Sequence, residues 1–282
     1  MNACTGRRAA LAGALDRAAR LVPRAEAKLL LVHAAGIGHA RLAAHPELEL
    51  ASDALERYED WIARRAGGEP IAYLLGWREF YGRRFRVADA VLIPRPETEL
   101  LVDCALAVVR ALARSSRIAD LGTGSGAIAV SLALEQPEAQ VWASDASGAA
   151  LDIARENAQA LGARVRFRQG AWFAAFDPGS RFDLVVSNPP YVAEGDPHLA
   201  NGDLRREPRA ALVAGPDGLS EIRRIVRDAP AFLARSGQLL VEHGYDQAEQ
   251  VREALRAAGF EAVRSWRDLA GIERVSGGSR GV

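Results

Sequence analysis

The spacing of apolar residues changes character at about residue 75. Before it, Leu11, Ala14, Leu15, Ala18 and Leu21 follow the i, i+3, i+4, i+7 pattern of one buried helical stripe. From residue 5 to about 75 the chain reads as helices only. A second helix is predicted over Ala25 to Ala35 and a shorter one over Leu42 to Leu48. A further helix runs from Ser52 to Arg65, with Ser52 as its N-cap, Leu55, Tyr58 and Ile62 on its inner face, and Gly67-Gly68 at its end. After a connector, short apolar runs alternate with helical patterns. Strands are predicted at Ile118 to Leu121, Gln140 to Ser144, Val165 to Arg168, Phe182 to Ser187 and Gln238 to Glu242. Helices are predicted at Ala127 to Leu134, Ser147 to Leu161, Leu219 to Leu233 and Gln247 to Ala258, with Ser147 as an N-cap. Strands separated by helices of this length form a doubly wound, mostly parallel α/β sheet. Weaker strand signals follow at Glu261 to Ser265 and Glu273 to Val275, and the tail Ser276 to Val282 reads as frayed.

The expected organisation is a helical bundle over residues 1–75, a connector over 76–95 and the α/β domain over 96–282. In the connector, Arg78 to Tyr81 and Phe85 to Val87 flank Gly82 as a short hairpin. Pro96 then suits a helix start, with Glu97 and Glu99 at its positive end, and that helix runs to Leu112.

Composition narrows the class of partner. The chain has 282 residues, 49% hydrophobic and 26% charged, with a formal net charge of zero. No global field draws it to nucleic acid or an anionic membrane. Lys28 is the only lysine; the remaining basic side chains are arginine. Cys4 and Cys104 belong to no ligand motif, so a reduced cytoplasmic chain without disulfides is expected. The five histidines show no metal-binding spacing, and no metal is expected. The run Arg7 to Leu15 faintly resembles a signal peptide, but Asp16, Arg17 and Arg20 interrupt it, which suits an amphipathic helix. No stretch approaches the ~18 apolar residues of a membrane span.

The chemistry concentrates at strand ends. Asp120-Leu121-Gly122-Thr123-Gly124-Ser125-Gly126 joins the first α/β strand to its helix. Such glycines permit close approach of a ligand to backbone and helix N-terminus. The second strand ends in Asp145, placed to accept from a ribose hydroxyl pair; a helix-capping role is the alternative. The GxGxG spacing, with Asp120 able to face a cationic amino-acid portion, fits S-adenosylmethionine better than NAD. Trp172, just past the third strand, is either a stacking surface for a purine or a core residue.

Asn188-Pro189-Pro190-Tyr191 follows the apolar run Phe182 to Ser187. Two prolines lack N–H donors and push the preceding residue into extended geometry. A hairpin turn is the plain reading, but ligands bind beyond strand carboxyl ends in open α/β sheets. This donor-poor corner suits a planar –NH2 group. The Asn188 side-chain oxygen and the Pro189 carbonyl would accept its two hydrogens, raising electron density at nitrogen and aiming it at a methyl donor, with Tyr191 packed on the amide.

These residues together resemble the bacterial release factor glutamine methyltransferases, the HemK/PrmC family. Further family-like segments are Glu69 to Gly76, Glu79 to Gly82, Leu92 to Glu99, Asp196 to Leu199, Glu207-Pro208, Ala210 to Leu212 and Glu242-His243-Gly244. The resemblance covers nearly the whole chain and is strongest from about 68 to 245. It implies a class I S-adenosylmethionine-dependent methyltransferase fold and transfer of methyl to the glutamine N5 of the Gly-Gly-Gln motif in peptide chain release factors. Cofactor-binding residues would be Asp120, Gly122, Thr123, Gly124, Ser125, Gly126, Asp145, Trp172 and Asn188. Asn188, Pro189, Pro190 and Tyr191 would hold the substrate, with Asn188, Pro189 and Tyr191 catalytic. The helical domain would bind the release factor, and the enzyme would be a monomer with no direct nucleic-acid or membrane partner. One departure is Ala171, where many relatives carry an acidic residue that contacts adenine.

Three rivals remain open on sequence. A DNA adenine-N6 methyltransferase shares the NPPY pattern but needs a basic recognition region. A glutamine methyltransferase acting on a ribosomal protein, and a non-catalytic binding module, are the others.

Overall fold

A computed structural model describes residues 9–112, 115–200 and 202–281. The chain forms two compact units: Met1–Gly76 with Ala200–Arg206, and Trp77–Leu199 with Glu207–Val282.

The first unit is mainly helical. It contains α1 (Leu11–Ala18), α2 (Arg24–Ala35), α3 (His39–Ala44), α4 (Ser52–Ala66) and α5 (Ile71–Leu75). Leu55, Tyr58 and Ile62 face inward as expected, and the buried Tyr58 hydroxyl donates to the Ala27 carbonyl at 3.1 Å. Four details differ from the reading by pattern. Helices are not alone: β1 (Ala9–Ala10) and β2 (Glu49–Leu50) pair antiparallel. The Leu42 to Leu48 helix lies instead at α3, because the chain turns at His45-Pro46 before Leu48. Ala51, not Ser52, is the capping residue of α4. Leu21 lies beyond the end of α1 and is 65% exposed. Residues 200–206 join this unit through Arg65, whose Nη1 donates to Asp203 at 2.7 Å while Nε donates to Glu26 at 2.6 Å. Arg206 adds a bond to the Gly67 carbonyl at 2.7 Å.

The second unit begins with the hairpin β3 (Trp77–Phe80) and β4 (Arg83–Arg86), then a 3-10 turn at Pro96–Thr98 leading into α6 (Glu99–Leu112). There follow β5 (Arg117–Leu121), α7 (Ala127–Glu135), β6 (Gln140–Asp145), α8 (Gly148–Leu161), β7 (Val165–Gln169) and β8 (Phe182–Ser187). The chain ends with α9 (Ser220–Asp228), β9 (Leu233–Glu242), α10 (Ala248–Ala257), β10 (Phe260–Arg267) and β11 (Glu273–Arg280). Seven strands form one sheet in the order β10-β11-β9-β8-β5-β6-β7. The five from β9 to β7 run parallel, and β11 and β10 add antiparallel edges.

Alternate strand residues feed two cores. Ile118, Leu184, Val186 and Leu240 pack with α6 and α7, whereas Ala119, Leu121, Val185, Leu239 and Val241 pack with α9 and α10. Burial on both faces is why these strands read as continuous apolar runs. The predicted helix from Leu219 to Leu233 stops at Asp228: a 3-10 turn through Pro230 follows, and Leu233 already begins β9. No helix of the described residues is long and apolar enough to cross a membrane.

The tail is the largest correction. Ser276 to Arg280 belong to β11, held between β9 and β10, and Ser276 is fully buried. Small residues are required there: a Cβ on Gly277 would sit 2.4 Å from the Leu239 carbonyl oxygen. Truncation after Val275 therefore removes ladder bonds worth about 0.5–1.5 kcal/mol each on both sides. The urea midpoint of the truncated chain should fall by roughly 1 M or more; an unchanged midpoint would contradict the pairing.

Candidate active site

The sheet reverses direction of growth at β5. The chain builds outward through β6 and β7, then returns to place β8 on the other side of β5. A crevice forms at such a switch point beyond the carboxyl ends of the strands. Three strand ends are level here: Leu121 pairs with Ser144 of β6 and with Ser187 of β8. The Ser187 hydroxyl locks the second pairing by donating to the Leu121 carbonyl at 2.7 Å.

The loop after β5 is fixed to β6 at several points. Gly122 and Thr123 both donate to the Ser144 carbonyl, at 2.8 and 2.9 Å. Asp145 accepts from the Gly124 amide through Oδ2 and from the Ser147 amide through Oδ1, each at 2.9 Å. It thus takes the turn-capping role weighed as an alternative. An ionised carboxylate has about four acceptor sites, so two bonds leave capacity for a diol. Ser147 caps α8 as expected, accepting from the Ala150 amide at 3.2 Å.

Two glycines are needed for contact. A Cβ on Gly122 would meet the Trp172 ring at 2.8 Å, and one on Gly126 would meet Ala154 of α8 at 3.1 Å. Both have positive φ, at 71° and 81°. The first brings backbone under an aromatic face; the second lets α7 start against α8.

A cavity of about 690 Å³ opens over this loop, lined by Gly122, Thr123, Gly124, Ser125, Asp145, Trp172, Asn188 and Pro190. Sequence reading assembled these eight residues. Arg95, Thr98, Pro208, Ala210, Ala211, Val213 and Glu221, to which it gave no role, also line it. The Trp172 indole N–H donates to Glu221 Oε2 at 2.6 Å, holding the ring over Gly122. Arg95 pairs with the buried Glu207, which also accepts from the Ile93 amide at 3.0 Å. That pair ties the segment before α6 to the stretch after residue 206.

Asn188 carries an informative defect. Its Nδ2 donates to Thr98 Oγ1 at 3.1 Å, but its buried Oδ1 has no partner. An unsatisfied buried acceptor costs about 1–3 kcal/mol and calls for an explanation, and a ligand donor supplies one. Gly124, at the open side of the loop, has nothing within 4 Å of a would-be Cβ. The backbone loop, the diol acceptor, the indole and the orphan amide oxygen together fit a nucleoside bearing an amino-acid chain.

Four expected site residues lie off the cavity wall. Asp120 is fully buried beneath the loop, and its Oδ2 accepts from the Thr123 hydroxyl at 2.6 Å, so it supports the loop rather than facing the cavity. Gly126 faces α8, and Pro189 is buried and is not among the residues that line the cavity. Tyr191 packs in the core on the α9–α10 side, with its hydroxyl donating to Glu242 Oε1 at 3.4 Å. It therefore backs the corner instead of offering its face to the cavity.

Burial pushes the Asp120 carboxyl up to about 7, against the pull of the Thr123 hydroxyl and the Ala129 amide. The folded state thus holds a proton that the unfolded chain releases near 3.8. This contribution to stability is present below about pH 4 and is lost as pH rises through about 7. A shift of that size is worth on the order of 4 kcal/mol. Asp120→Asn should flatten the fall in unfolding free energy between pH 4.5 and 8, measured by urea melts; equal slopes in both proteins would refute the assignment.

Two family models match the chain: the Methyltransferase small domain over residues 97–215 and the PrmC N-terminal domain over residues 9–76. A protein named release factor glutamine methyltransferase from Burkholderia pseudomallei is 55% identical over 259 residues, covering 90% of both chains. One of the same name from Bordetella pertussis is 53% identical, covering 91% of this chain and 95% of that protein. Solved structures share the fold at low identity. A methyltransferase from Pyrococcus furiosus aligns at TM-score 0.53 and 16% identity, over 79% of this chain and all of that one. The hMettl16 catalytic domain aligns at 0.54 and 16%, over 78% and 80%. At half identity along nine-tenths of its length, and with both family models matched, this chain belongs to the release factor glutamine methyltransferase family.

Proposed function

We propose that this chain transfers a methyl group from S-adenosylmethionine to the side-chain amide nitrogen of the glutamine in the Gly-Gly-Gln motif of peptide chain release factors. The observation that carries the reading is the partnerless Oδ1 of Asn188, buried at the wall of a cavity shared with the glycine loop.

In this reading the backbone of Gly122 to Ser125 cradles the cofactor, Asp145 accepts from its ribose hydroxyls and Trp172 packs on its base. Asp120 and Gly126 act indirectly, by supporting the loop and seating its helix. Ala171 offers no carboxylate to the adenine, so the indole and backbone carry base recognition. When bound, the sulfonium supplies an electrophilic methyl carbon. Asn188 Oδ1 accepts one N–H of the substrate amide, and the other is assigned to the main-chain carbonyl of Pro189, whose ring is buried off the cavity wall. The nitrogen lone pair is then drawn less into its own carbonyl and is aimed by both bonds. Positioning of this kind can supply much of a rate enhancement. The amide proton can leave after transfer, so no histidine or cysteine base is needed.

The first unit is assigned the docking of the release factor, and the enzyme is assigned to the cytoplasm as a monomer. Neutral net charge and the match of residues 9–76 to the PrmC N-terminal domain favour a protein substrate over DNA.

Mass spectrometry of a release factor incubated with the protein and isotope-labelled cofactor should show one added methyl on the Gly-Gly-Gln peptide. Methylation of a ribosomal protein or of adenine instead would overturn the assignment. Asn188→Ala should lower turnover by roughly a hundredfold or more, with cofactor affinity by calorimetry changed far less. Unchanged turnover would remove the mechanism.

A further inference from the structure

Behind Asn188 runs a short buried chain of polar groups. Its Nδ2 donates to the Thr98 hydroxyl, in the 3-10 turn before α6, and Thr98 is 4% exposed. The Thr98 hydroxyl favours the ionised form of the carboxyl of Glu242, the last residue of β9, which is 1% exposed. Tyr191 donates to Oε1 of the same carboxylate at 3.4 Å, and Glu242 Oε2 is buried with no partner. Two other charged groups act on Glu242: Glu97 of the 3-10 turn and Arg274 of β11. Arg274 is itself paired with Asp268 at 3.2 Å, and Arg95 acts on Tyr191.

The direction of hydrogen bonding along this chain is not free. An amide and a hydroxyl each donate and accept, so the Asn188–Thr98 pair alone would tolerate either amide orientation. An ionised carboxylate only accepts. With Glu242 ionised, the single Thr98 hydrogen is committed to it, and the Thr98 oxygen can only accept. Asn188 must then turn its –NH2 inward and its carbonyl outward. That orientation leaves Oδ1 as the buried, partnerless atom of a residue that lines the cavity.

We propose that Thr98 and Glu242 are positioning residues that fix the polarity of the Asn188 amide, holding Oδ1 toward the substrate, and that protonation of Glu242 releases this constraint. The proposal rests on the reading of Asn188 given above. It assigns a role to two residues that touch neither reacting group. Protonated Glu242 can donate to Thr98, whose hydrogen then turns to Asn188 Oδ1 and favours the flipped amide. A flipped amide presents N–H to a substrate N–H. Burial pushes the Glu242 carboxyl up to about 7, with Glu97 adding to the rise and Thr98, Tyr191 and Arg274 opposing it. The switch therefore operates in the neutral range, with the active orientation on the alkaline side.

The test uses the full chain without ligand and then with release factor and cofactor. In the 15N spectrum the Asn188 side-chain amide, assigned by its absence in Asn188→Asp, should shift with a midpoint near pH 7. Methylation should fall on the acid side with the same midpoint. Glu242→Gln should abolish both pH dependences. Thr98→Val should lower kcat roughly tenfold or more, the scale of one hydrogen bond to a charged network, with cofactor Kd within about twofold, and Thr98→Ser should restore it. The inference is overturned if the Asn188 resonance does not titrate. It is also overturned if the titration persists in Glu242→Gln, which would place its origin at Asp120, or if Thr98→Val keeps wild-type kcat. Absence of methylation by the wild-type protein would instead refute the functional reading, while the amide titration would still be observed.

Discussion

The parallel pairing of β5 with both β6 and β8 is the constraint on which the site depends. It levels Leu121, Ser144 and Ser187, so that three loops leave the sheet at one height. The glycine loop then hangs from the Ser144 carbonyl and from Asp145, while Asn188 emerges on the opposite flank. A slip of one residue in either ladder would move every inward side chain to the other face. Both faces are packed, with Leu184 and Val186 in one core and Val185 in the other, so a slip would have to refit both cores. The precision of the crevice is thus inherited from hydrophobic packing well below it.

Most of this was legible because central parallel strands and strand-end motifs leave strong marks. Phe182 to Ser187 is apolar without alternation, and its end is punctuated by two prolines. Ser147 signalled the start of α8 through ordinary capping chemistry. The misses have physical reasons. Ser276-Gly277-Gly278-Ser279 carries no apolar pattern, because its burial comes from strands on both sides and its small residues make room for Leu239. The 3-10 turn at Ala229–Ala231 was hidden in a run of helix-compatible residues whose only breaker, Pro230, is also tolerated at a helix start.

Site residues divide in the same way. Gly122, Asp145 and Asn188 could be placed because their roles depend on local chain geometry and position after a strand. Asp120 and Tyr191 could be named but not oriented: whether a side chain lies above or beneath a loop is decided by packing. Thr98, Glu221 and Glu242 had no assigned role, since each meets its partner across 49 to 90 residues of sequence. Thr98 and Glu242 are set apart by the burial of a polar side chain, which the sequence does not show.

The Arg65–Asp203 clasp has a consequence for how such a protein can be divided or recombined. Because a heptapeptide from deep within the catalytic half is counted with the helical unit, the polypeptide passes between the two units three times: after Gly76, after Leu199 and after Arg206. No single cut yields both units whole. An exchange of N-terminal modules between relatives would have to carry a matching stretch some 120 positions downstream. The bundle and that distant insert therefore make one packing unit from two separate stretches of sequence.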